Sequence, residues 1–260
     1  MTTPPVGLQL FTVRDALKKD LAGTIEKVAE VGFAGVEPFG LNPQGAGELK
    51  ELLDRFELEV PSVHVPMPVG ERQEEVIDTV LTLGSPRLVS GFGRGEFRDL
   101  ESVARCSELF NEAHQASAAR GLSFGIHNHW WEYEPLEGRY PYREMLEQLD
   151  PGIFFELDVY WVKTAGLDPV AVLSELGERT PILHVKDGPA VKGQPMVAVG
   201  RGALDIEGII ASNEANTEWL MVELDECATD MIAAVSESFE FLTRNGLARG
   251  SLEDSLGGQD

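Results

Sequence analysis

Eight short apolar runs, each followed by a longer amphipathic stretch, are the feature that most limits the folds open to this chain. The runs have the length of buried strands, and the stretches between them are long enough to form helices. The predicted strands are Val6–Phe11, Gly35–Phe39, Val60–Val65, Arg87–Gly91, Ser123–His129, Ile153–Tyr160, Ile182–Asp187 and Trp219–Leu224.

The stretches between the strands have the periodicity of helices that pack on one face. Val103, Cys106, Phe110 and Ala113, for example, recur at spacings of three and four residues. The predicted helices are Leu21–Val31, Glu48–Phe56, Glu71–Leu83, Leu100–Arg120, Tyr142–Leu149, Pro169–Leu176, Ile206–Asn213 and Met231–Asn245. Eight strands that alternate with helices predict an α/β protein whose parallel sheet closes into a (β/α)8 barrel.

An open, doubly wound sheet is the structural alternative. Such a sheet usually carries a glycine-rich phosphate loop after its first strand, and residues 8–14 contain no glycine. The length of 260 residues also suits one barrel. We therefore predict a single domain over residues 1–249, followed by a disordered acidic tail over residues 250–260.

Composition limits the compartment and the partners. No apolar run approaches the roughly 20 residues that span a bilayer, the first residues show no secretory signal, and two cysteines are too few for a disulfide framework. These features favour a cytoplasmic location for the protein. The formal net charge of −23 repels phosphate backbones and anionic membranes, so we expect neither nucleic-acid nor membrane binding. Composition does not decide whether the protein forms a homo-oligomer.

Ionisable side chains interrupt the apolar runs where the predicted strands end. In a parallel barrel those C-terminal ends line the active site, whereas the strand bodies build the core. Four of the five histidines fall there, and only His114 lies in a predicted helix. The interrupting residues are Glu37, His64, His127, His129, Glu156, Asp158, His184, Lys186, Asp187, Glu223, Asp225 and Glu226.

The fifth to eighth strands each end in a carboxylate or an imidazole. Any one of these groups is more often an ordinary core or rim residue, but burying so many is costly unless they are paired or coordinate a metal. Mixed carboxylate and imidazole ligands suit Mn²⁺, Co²⁺, Fe²⁺ or Zn²⁺, whereas Mg²⁺ prefers oxygen ligands alone. The pattern predicts one divalent metal ion, with Mn²⁺ as the first choice.

Eight short motifs follow one another from Val6 to about Asn245. They are GLQLFTVRD (Gly7–Asp15), GVEPFG (Gly35–Gly40), SVHVP (Ser62–Pro66), GIHNHWWEYEPLEG (Gly125–Gly138), ELDVYWVKTAGLDPV (Glu156–Val170), HVKDG (His184–Gly188), VGRGALDI (Val199–Ile206) and VELDEC (Val222–Cys227). In this order they resemble the sugar phosphate isomerase/epimerase family. These xylose-isomerase-like barrels include inosose dehydratases, ketose 3-epimerases and endonuclease IV.

The resemblance implies a set of metal ligands. The family holds its metal with a Glu, an Asp, a His and a Glu on the fifth to eighth strands. Asp158, His184 and Glu223 match the last three, and His127 stands where the epimerases have the first Glu. The implied ligands are therefore His127, Asp158, His184 and Glu223, with His127 preferred over Glu132 or Glu156 as the fourth.

The histidine at position 127 bears on the reaction. Ketose 3-epimerases use two metal-bound glutamates as opposed bases on one carbon, and His127 leaves that pair incomplete. The resemblance thus disfavours simple 3-epimerisation and leaves dehydration, elimination or isomerisation open. The catalytic candidates are Glu223, His127 and Lys186, although Lys186 could instead form a surface pair with Asp187.

Other strand-end residues are candidates for substrate binding. His64 matches a third-strand histidine of the family and is expected to contact a hydroxyl or to lie at the rim. Glu37 would bond a hydroxyl or orient His64, and Trp161 would stack on a sugar or pack under the loops. The substrate-binding candidates are Glu37, His64, His129 and Trp161. Glu132 and Glu156 are expected to orient the imidazoles.

The sequence points to three candidate functions. The preferred one is a metal-dependent isomerase, epimerase or dehydratase that abstracts a proton from a small sugar, keto-sugar or polyol. An endonuclease-IV-like phosphodiesterase would need more metal ligands and a basic groove, which five histidines and a charge of −23 argue against. A non-catalytic sugar-binding barrel is compatible with the sequence, although Asp158, His184 and Glu223 count against it.

Overall fold

The computed structural model describes residues 3–251, and its central element is one sheet of eight parallel strands. The strands lie in the order β2-β1-β8-β7-β6-β5-β4-β3, which confirms the predicted barrel. They are β1 (Val6–Gln9), β2 (Gly35–Glu37), β3 (Val63–His64), β4 (Arg87–Ser90), β5 (Ser123–His127), β6 (Phe154–Asp158), β7 (Ile182–Val185) and β8 (Trp219–Val222). Most of the predicted acidic tail, from residue 252 onward, lies outside the described residues.

The barrel is nearly closed between β2 and β3. One parallel bridge joins Gly35, at the start of β2, to Glu59, and a second joins Phe39 to His64, at the end of β3. The backbone N–H of His64 donates to the carbonyl of Pro38 at 2.8 Å. These bridges bring the ends of β2 and β3 together, and with them the side chains that follow each strand.

Helices follow the strands and cover the outside of the sheet. Several begin at an aspartate whose side chain accepts from a free backbone N–H, as Asp20, Asp99 and Asp230 do. The helices are α1 (Arg14–Leu17), α2 (Leu21–Val31), α3 (Pro43–Arg55), α4 (Gln73–Leu83), α5 (Leu100–Ala118), α6 (Pro141–Gln148), α7 (Val159–Thr164), α8 (Pro169–Leu176), α9 (Ile206–Ser212) and α10 (Met231–Arg244). In this part of the chain, no helix combines the length and apolarity needed to cross a membrane.

Several strands end earlier than predicted because polar side chains start new turns. The first strand stops at Gln9, whose side chain accepts from the backbone N–H of Phe11 and opens a short 3-10 helix over Leu10–Val13. The sixth strand stops at Asp158, whose carboxylate accepts from the N–H of Trp161 and starts α7. The strand ends are therefore set by side-chain hydrogen bonds, which apolar periodicity does not report.

Large side chains fill the lower part of the barrel and form a floor beneath the polar groups. Phe154, Trp219 and Met221 belong to one buried cluster. Two glycines leave the space for them: a Cβ on Gly7 would lie 2.7 Å from Met221 Cε, and one on Gly125 would overlap the ring of Phe154. Since alternate residues of a strand share a face, the residues two and four positions beyond this floor also point inward.

Candidate metal centre

The inward-facing positions above the floor are occupied by ionisable residues. In β6, Phe154 belongs to the floor, and Glu156 and Asp158 follow it on the same face. Asp158 pairs in register with His184 of β7, whereas Glu156 pairs with His127 of β5. The stagger of neighbouring strands therefore brings side chains from four strands to one place.

Four residues form a compact group, here called the quartet. They are His127, Asp158, His184 and Glu223, and one ligand atom from each lies within 4.8 Å of the other three. His127 Nε2 is 3.6 Å from Asp158 Oδ2 and 4.0 Å from Glu223 Oε2, and His184 Nδ1 is 2.8 Å from Glu223 Oε2. All four are buried. The structure thus brings together the ligand set implied by the resemblance, with His127 in the fourth position.

Two atoms of the quartet test whether it fits a metal ion. His127 Nε2 is buried and forms no hydrogen bond within residues 3–251, whereas the buried Asp158 Oδ2 lies 2.9 Å from the ammonium of Lys186. Burial and the nearby charge of His184 hold the pKa of His127 well below its usual range, so this imidazole is neutral and has a lone pair to offer. Two imidazoles and two carboxylates suit Mn²⁺, Fe²⁺, Co²⁺ or Zn²⁺. The residues therefore fit a divalent metal ion.

Lys186 is the cation beside the quartet. Its Nζ lies 2.9 Å from Asp158 Oδ2 and 2.8 Å from Glu223 Oε2, and it donates a 2.7 Å hydrogen bond to Asp225 Oδ2. Burial alone would lower the pKa of Lys186, but the three carboxylates raise it well above its usual range. The surface pair with Asp187 considered from the sequence is wrong, because Lys186 is fully buried and pairs with Asp225.

A second group surrounds the other nitrogen of His184. His184 Nε2 lies 2.8 Å from Glu37 Oε2 and 3.1 Å from Glu156 Oε2. His64 Nε2 forms a close contact with Glu156 and lies 3.3 Å from Glu37 Oε2. Glu37, His64, Glu156 and His184 also bring ligand atoms within 4.8 Å of one another. Because a neutral imidazole has one free lone pair, His184 can act as a ligand in one of the two groups while its other nitrogen donates to a carboxylate.

The charges of this second group depend on burial and on close pairs. Burial, with a contribution from Glu156, raises the pKa of Glu37 to about 6. Burial also acts to raise the pKa of Glu156, but His184 and His64 hold it well below its usual range. For His184, Glu156 and Glu37 overcome the effect of burial and raise its pKa well above its usual range. The carboxylates beside its ring therefore favour the protonated form of His184.

The mouth of the barrel holds a cavity of about 490 Å³ above these groups. His64, His127, His129, Glu223 and Asp225 contribute to its polar lining. A cavity of similar size, about 480 Å³, lies near the opposite ends of the strands, beside Arg87 and Trp219. Barrel enzymes act at the C-terminal ends of their strands, so we place the candidate site in the first cavity.

The remaining predicted substrate-binding residues differ in where they lie. His129 lines the cavity and stacks on Trp131 with ring centroids 4.1 Å apart, and burial lowers its pKa to about 3. Glu37 is fully buried beneath the cavity, where it accepts a 2.7 Å hydrogen bond from Gln9 Nε2. Trp161 packs against Trp130 with centroids 4.8 Å apart and is outside the cavity lining.

The two glutamates expected to orient imidazoles do so in different ways. Glu156 contacts the ring nitrogens of His64 and His184, as expected. Glu132 instead accepts a 3.0 Å hydrogen bond from the backbone N–H of His129, and so acts on the loop rather than on a ring. Burial raises the pKa of Glu132 to about 8.

The sequence did not predict the roles of two further aspartates. Asp225 lines the cavity and holds Lys186. Asp187 is buried and accepts hydrogen bonds from the backbone N–H groups of Gly188, Gly200, Gly202 and Leu204, at 2.8 to 3.2 Å. It thereby anchors the loop after β7. The glycine spacing in VGRGALDI was the available signal, since a Cβ at Gly202 would overlap the Asp187 carboxylate.

Comparison with solved structures reveals similar barrels. A sugar phosphate isomerase/epimerase from Parabacteroides distasonis has 22% sequence identity and a TM-score of 0.79, and the match covers 95% of each chain. The probable 3-DHS dehydratase AsbF from Bacillus anthracis has 15% identity and a TM-score of 0.68 over 94% of this chain and 99% of its own. A D-allulose 3-epimerase from Methylomonas sp. has 15% identity and a TM-score of 0.68 over 94% and 98%.

The sequence itself also matches a family model. No curated protein matches the chain. The model of the xylose isomerase-like TIM barrel, by contrast, matches residues 25–245, which include seven of the eight strands and all four residues of the quartet. The chain therefore belongs to the xylose isomerase-like TIM barrel family.

Proposed function

We propose that the protein is a divalent-metal-dependent enzyme that moves a proton on a small sugar, keto-sugar or polyol. The observation that carries this proposal is the buried quartet at the base of the cavity, in which His127 Nε2 has no hydrogen-bond partner within the described chain. The similar barrels described as epimerases and as a dehydratase support it.

His127, Asp158, His184 and Glu223 would hold the ion, and Mn²⁺ is the first choice for this mixture of nitrogen and oxygen ligands. When bound, such an ion draws electron density from a substrate oxygen and so acidifies the proton on the adjacent carbon. Glu37 and Glu156 accept from His184 Nε2, which directs His184 Nδ1 towards the quartet.

Glu223 is the proposed base. It lines the cavity, and its Oε2 contacts both His184 Nδ1 and Lys186 Nζ at 2.8 Å. Burial acts to raise the pKa of Glu223, but Lys186 and His184 hold it well below its usual range. The side chain is therefore an ionised carboxylate, ready to accept a proton from a substrate carbon at the base of the cavity.

Lys186 is the proposed partner of that base. Its ammonium lies beside Glu223 and Asp225, both of which line the cavity. It can stabilise negative charge that develops on the substrate or return a proton to it. His64 and His129 also line the cavity and would bond substrate hydroxyls.

The position of His127 favours one group of reactions over another. An epimerase that uses opposed carboxylates needs two of them on the two sides of one carbon, whereas the quartet has His127 in place of one of the two glutamates. Asp158 Oδ1 already accepts from the backbone N–H of Trp161. We therefore place dehydration or isomerisation ahead of symmetric 3-epimerisation.

The test is solvent deuterium exchange. Protein loaded with Mn²⁺ is incubated in D2O with keto-inositols, ketoses and 3-keto-glycosides, and each compound is followed by NMR and mass spectrometry. We expect deuterium at one carbon of a substrate, and no exchange after the metal is removed with a chelator. Failure of the protein to bind divalent ions, or exchange that persists without them, would refute metal dependence.

A further inference from the structure

The mouth of the barrel has two chemically different halves. The quartet comes from the ends of β5 to β8. The ends of β1, β2 and β4 instead present Phe11, Phe39 and Phe92 to the cavity, and His64 at the end of β3 lies between Phe39 and Phe92 in the ring of strands. We call these three side chains the aromatic wall. Strands of a closed barrel stand in a ring, so the wall faces the polar half across the cavity.

The wall lies at the edge of the core, since Phe39 and Phe92 pack against it while part of each ring stays exposed. All three rings are partly exposed, and Phe11 packs edge-on against Phe39 with centroids 5.2 Å apart. Exposed aromatic side chains that cluster in a concave site mark a place for an apolar or planar group. A cavity of about 490 Å³ lies in the range that takes drug-sized ligands, and a single sugar ring would fill only part of it.

The cavity offers no free cation to an anionic substrate. Its lining, within the described residues, contains neither arginine nor lysine. Lys186 is buried among three carboxylates, and the nearby Arg14 donates to the carbonyls of Phe11 and Asp225. Phosphates and carboxylates are usually recognised by such cations, so a neutral substrate suits this cavity better.

The aromatic wall favours an aryl group over a second sugar ring as the neutral group that lies against it. A second sugar ring could lay its C–H face on one phenylalanine, but the hydroxyls at its edge would find no hydrogen-bond partners among the three rings, and each buried unpaired hydroxyl is costly. An aryl group carries no such hydroxyls and gains ring-to-ring contact.

From the two halves we infer that the substrate is a neutral aryl glycoside or its keto derivative. Its sugar ring would lie over the quartet, and its aromatic aglycone would lie against Phe11, Phe39 and Phe92. This inference rests on the proposed function for the position of the sugar ring, and it adds the class of substrate.

The test compares phenyl and methyl β-D-glucopyranoside as probes, with calorimetry on the Mn²⁺-loaded protein. We expect the phenyl glycoside to bind about tenfold more tightly, since ring contact adds to the apolar area buried. Phe11→Leu, Phe39→Leu and Phe92→Leu should each reduce that preference about threefold while remaining apolar. Phe56→Leu is the matched control, because Phe56 is a part-exposed phenylalanine at the end of α3, outside the cavity lining, and should leave the preference unchanged.

Three results would overturn the inference: equal binding of the two glycosides, a preference that survives all three wall substitutions in folded protein, or tighter binding of cellobiose or glucose 6-phosphate than of the phenyl glycoside. The Asp158→Asn variant distinguishes failure of this inference from failure of the proposed function. If Asp158→Asn still prefers the phenyl glycoside, and neither this variant nor the unmodified protein exchanges deuterium, the aryl-binding inference holds and the proposed proton transfer is refuted. If the unmodified protein exchanges deuterium but binds the two glycosides equally, the proposed proton transfer holds and the aryl-binding inference is refuted.

Discussion

Lys186 Nζ lies 2.9 Å from Asp158 Oδ2, so a buried ammonium contacts the oxygen that a metal ion would use. Two cations at that distance from one carboxylate repel each other strongly where water is excluded. We predict that Lys186→Met binds Mn²⁺ about tenfold more tightly than the unmodified protein, a change of ~1.4 kcal/mol, while deuterium exchange slows. Titration calorimetry measures the first effect and NMR the second.

Lys163→Met serves as the control for this substitution, because Lys163 is exposed on α7 and its loss should leave metal affinity unchanged. Weaker Mn²⁺ binding by Lys186→Met would show that the lysine supports the metal site rather than competing for it.

Glu223 and Asp158 should respond differently to loss of charge. Glu223→Gln keeps the size of the side chain but removes a base, so exchange should fall by about 10²–10⁴-fold. Asp158→Asn should act mainly through metal affinity, and excess Mn²⁺ should restore part of the rate. The measurement is the exchange rate of each variant across a series of Mn²⁺ concentrations. Full recovery of Glu223→Gln at high Mn²⁺ would make Glu223 a ligand only.

The alternation of strands and helices was sufficient to predict the barrel, and the strand-end pattern predicted a group of ionisable residues at its mouth, from which the family resemblance selected the quartet. Ionisable residues at the ends of successive parallel strands must meet, whatever the details of packing. The contacts that each of these residues makes could not be predicted from the sequence. That Glu37 lies beneath His184, for instance, depends on the stagger between distant strands, and the pairing of Lys186 with Asp225 depends on the path of the loop after β8.

Glu132 should make stability depend on pH. Its pKa is about 8 in the folded protein, against an ordinary value of 4.5, because the side chain is buried. Between pH 4.5 and 8 the unfolded chain loses this proton and the folded chain keeps it, so stability falls as pH rises, by at most ~1.4 kcal/mol per pH unit. Glu132→Gln cannot ionise, and its stability should fall less over this range in urea unfolding.

The matched control for that measurement is Glu214→Gln, since Glu214 is exposed just beyond α9. If Glu132→Gln and the unmodified protein lose stability in parallel from pH 5 to pH 8, the glutamate is already ionised in the fold.

Asp187 should be a large contributor to stability. Asp187→Ala removes the acceptor of four backbone N–H groups and should lower the free energy of unfolding by about 3 kcal/mol or more. Gly202→Ala should also destabilise, because the added Cβ meets the Asp187 carboxylate. Gly95→Ala, where the added Cβ meets open space, should change the melting temperature little. Similar melting temperatures for Gly202→Ala and Gly95→Ala would contradict this account.

These hydrogen bonds explain a motif that residue chemistry alone did not. Gly202 allows the backbone to approach Asp187 closely, and Gly200 combines a φ of +84° with a position where a Cβ would overlap Phe241, which are requirements of shape rather than of reactivity. A search for acids, bases and ligands passes over such positions, since glycine has no side chain to take part in chemistry.

The two halves of the mouth can change independently. Phe11, Phe39 and Phe92 donate and accept no side-chain hydrogen bonds, so replacing them alters the shape offered to a substrate without removing an acid, a base or a ligand. Laboratory evolution aimed at new substrates should therefore randomise the segments after β1, β2 and β4 and keep those after β5 to β8. Gene duplicates of such a barrel could diverge along the same division, acquiring new molecules to act on while inheriting one reaction.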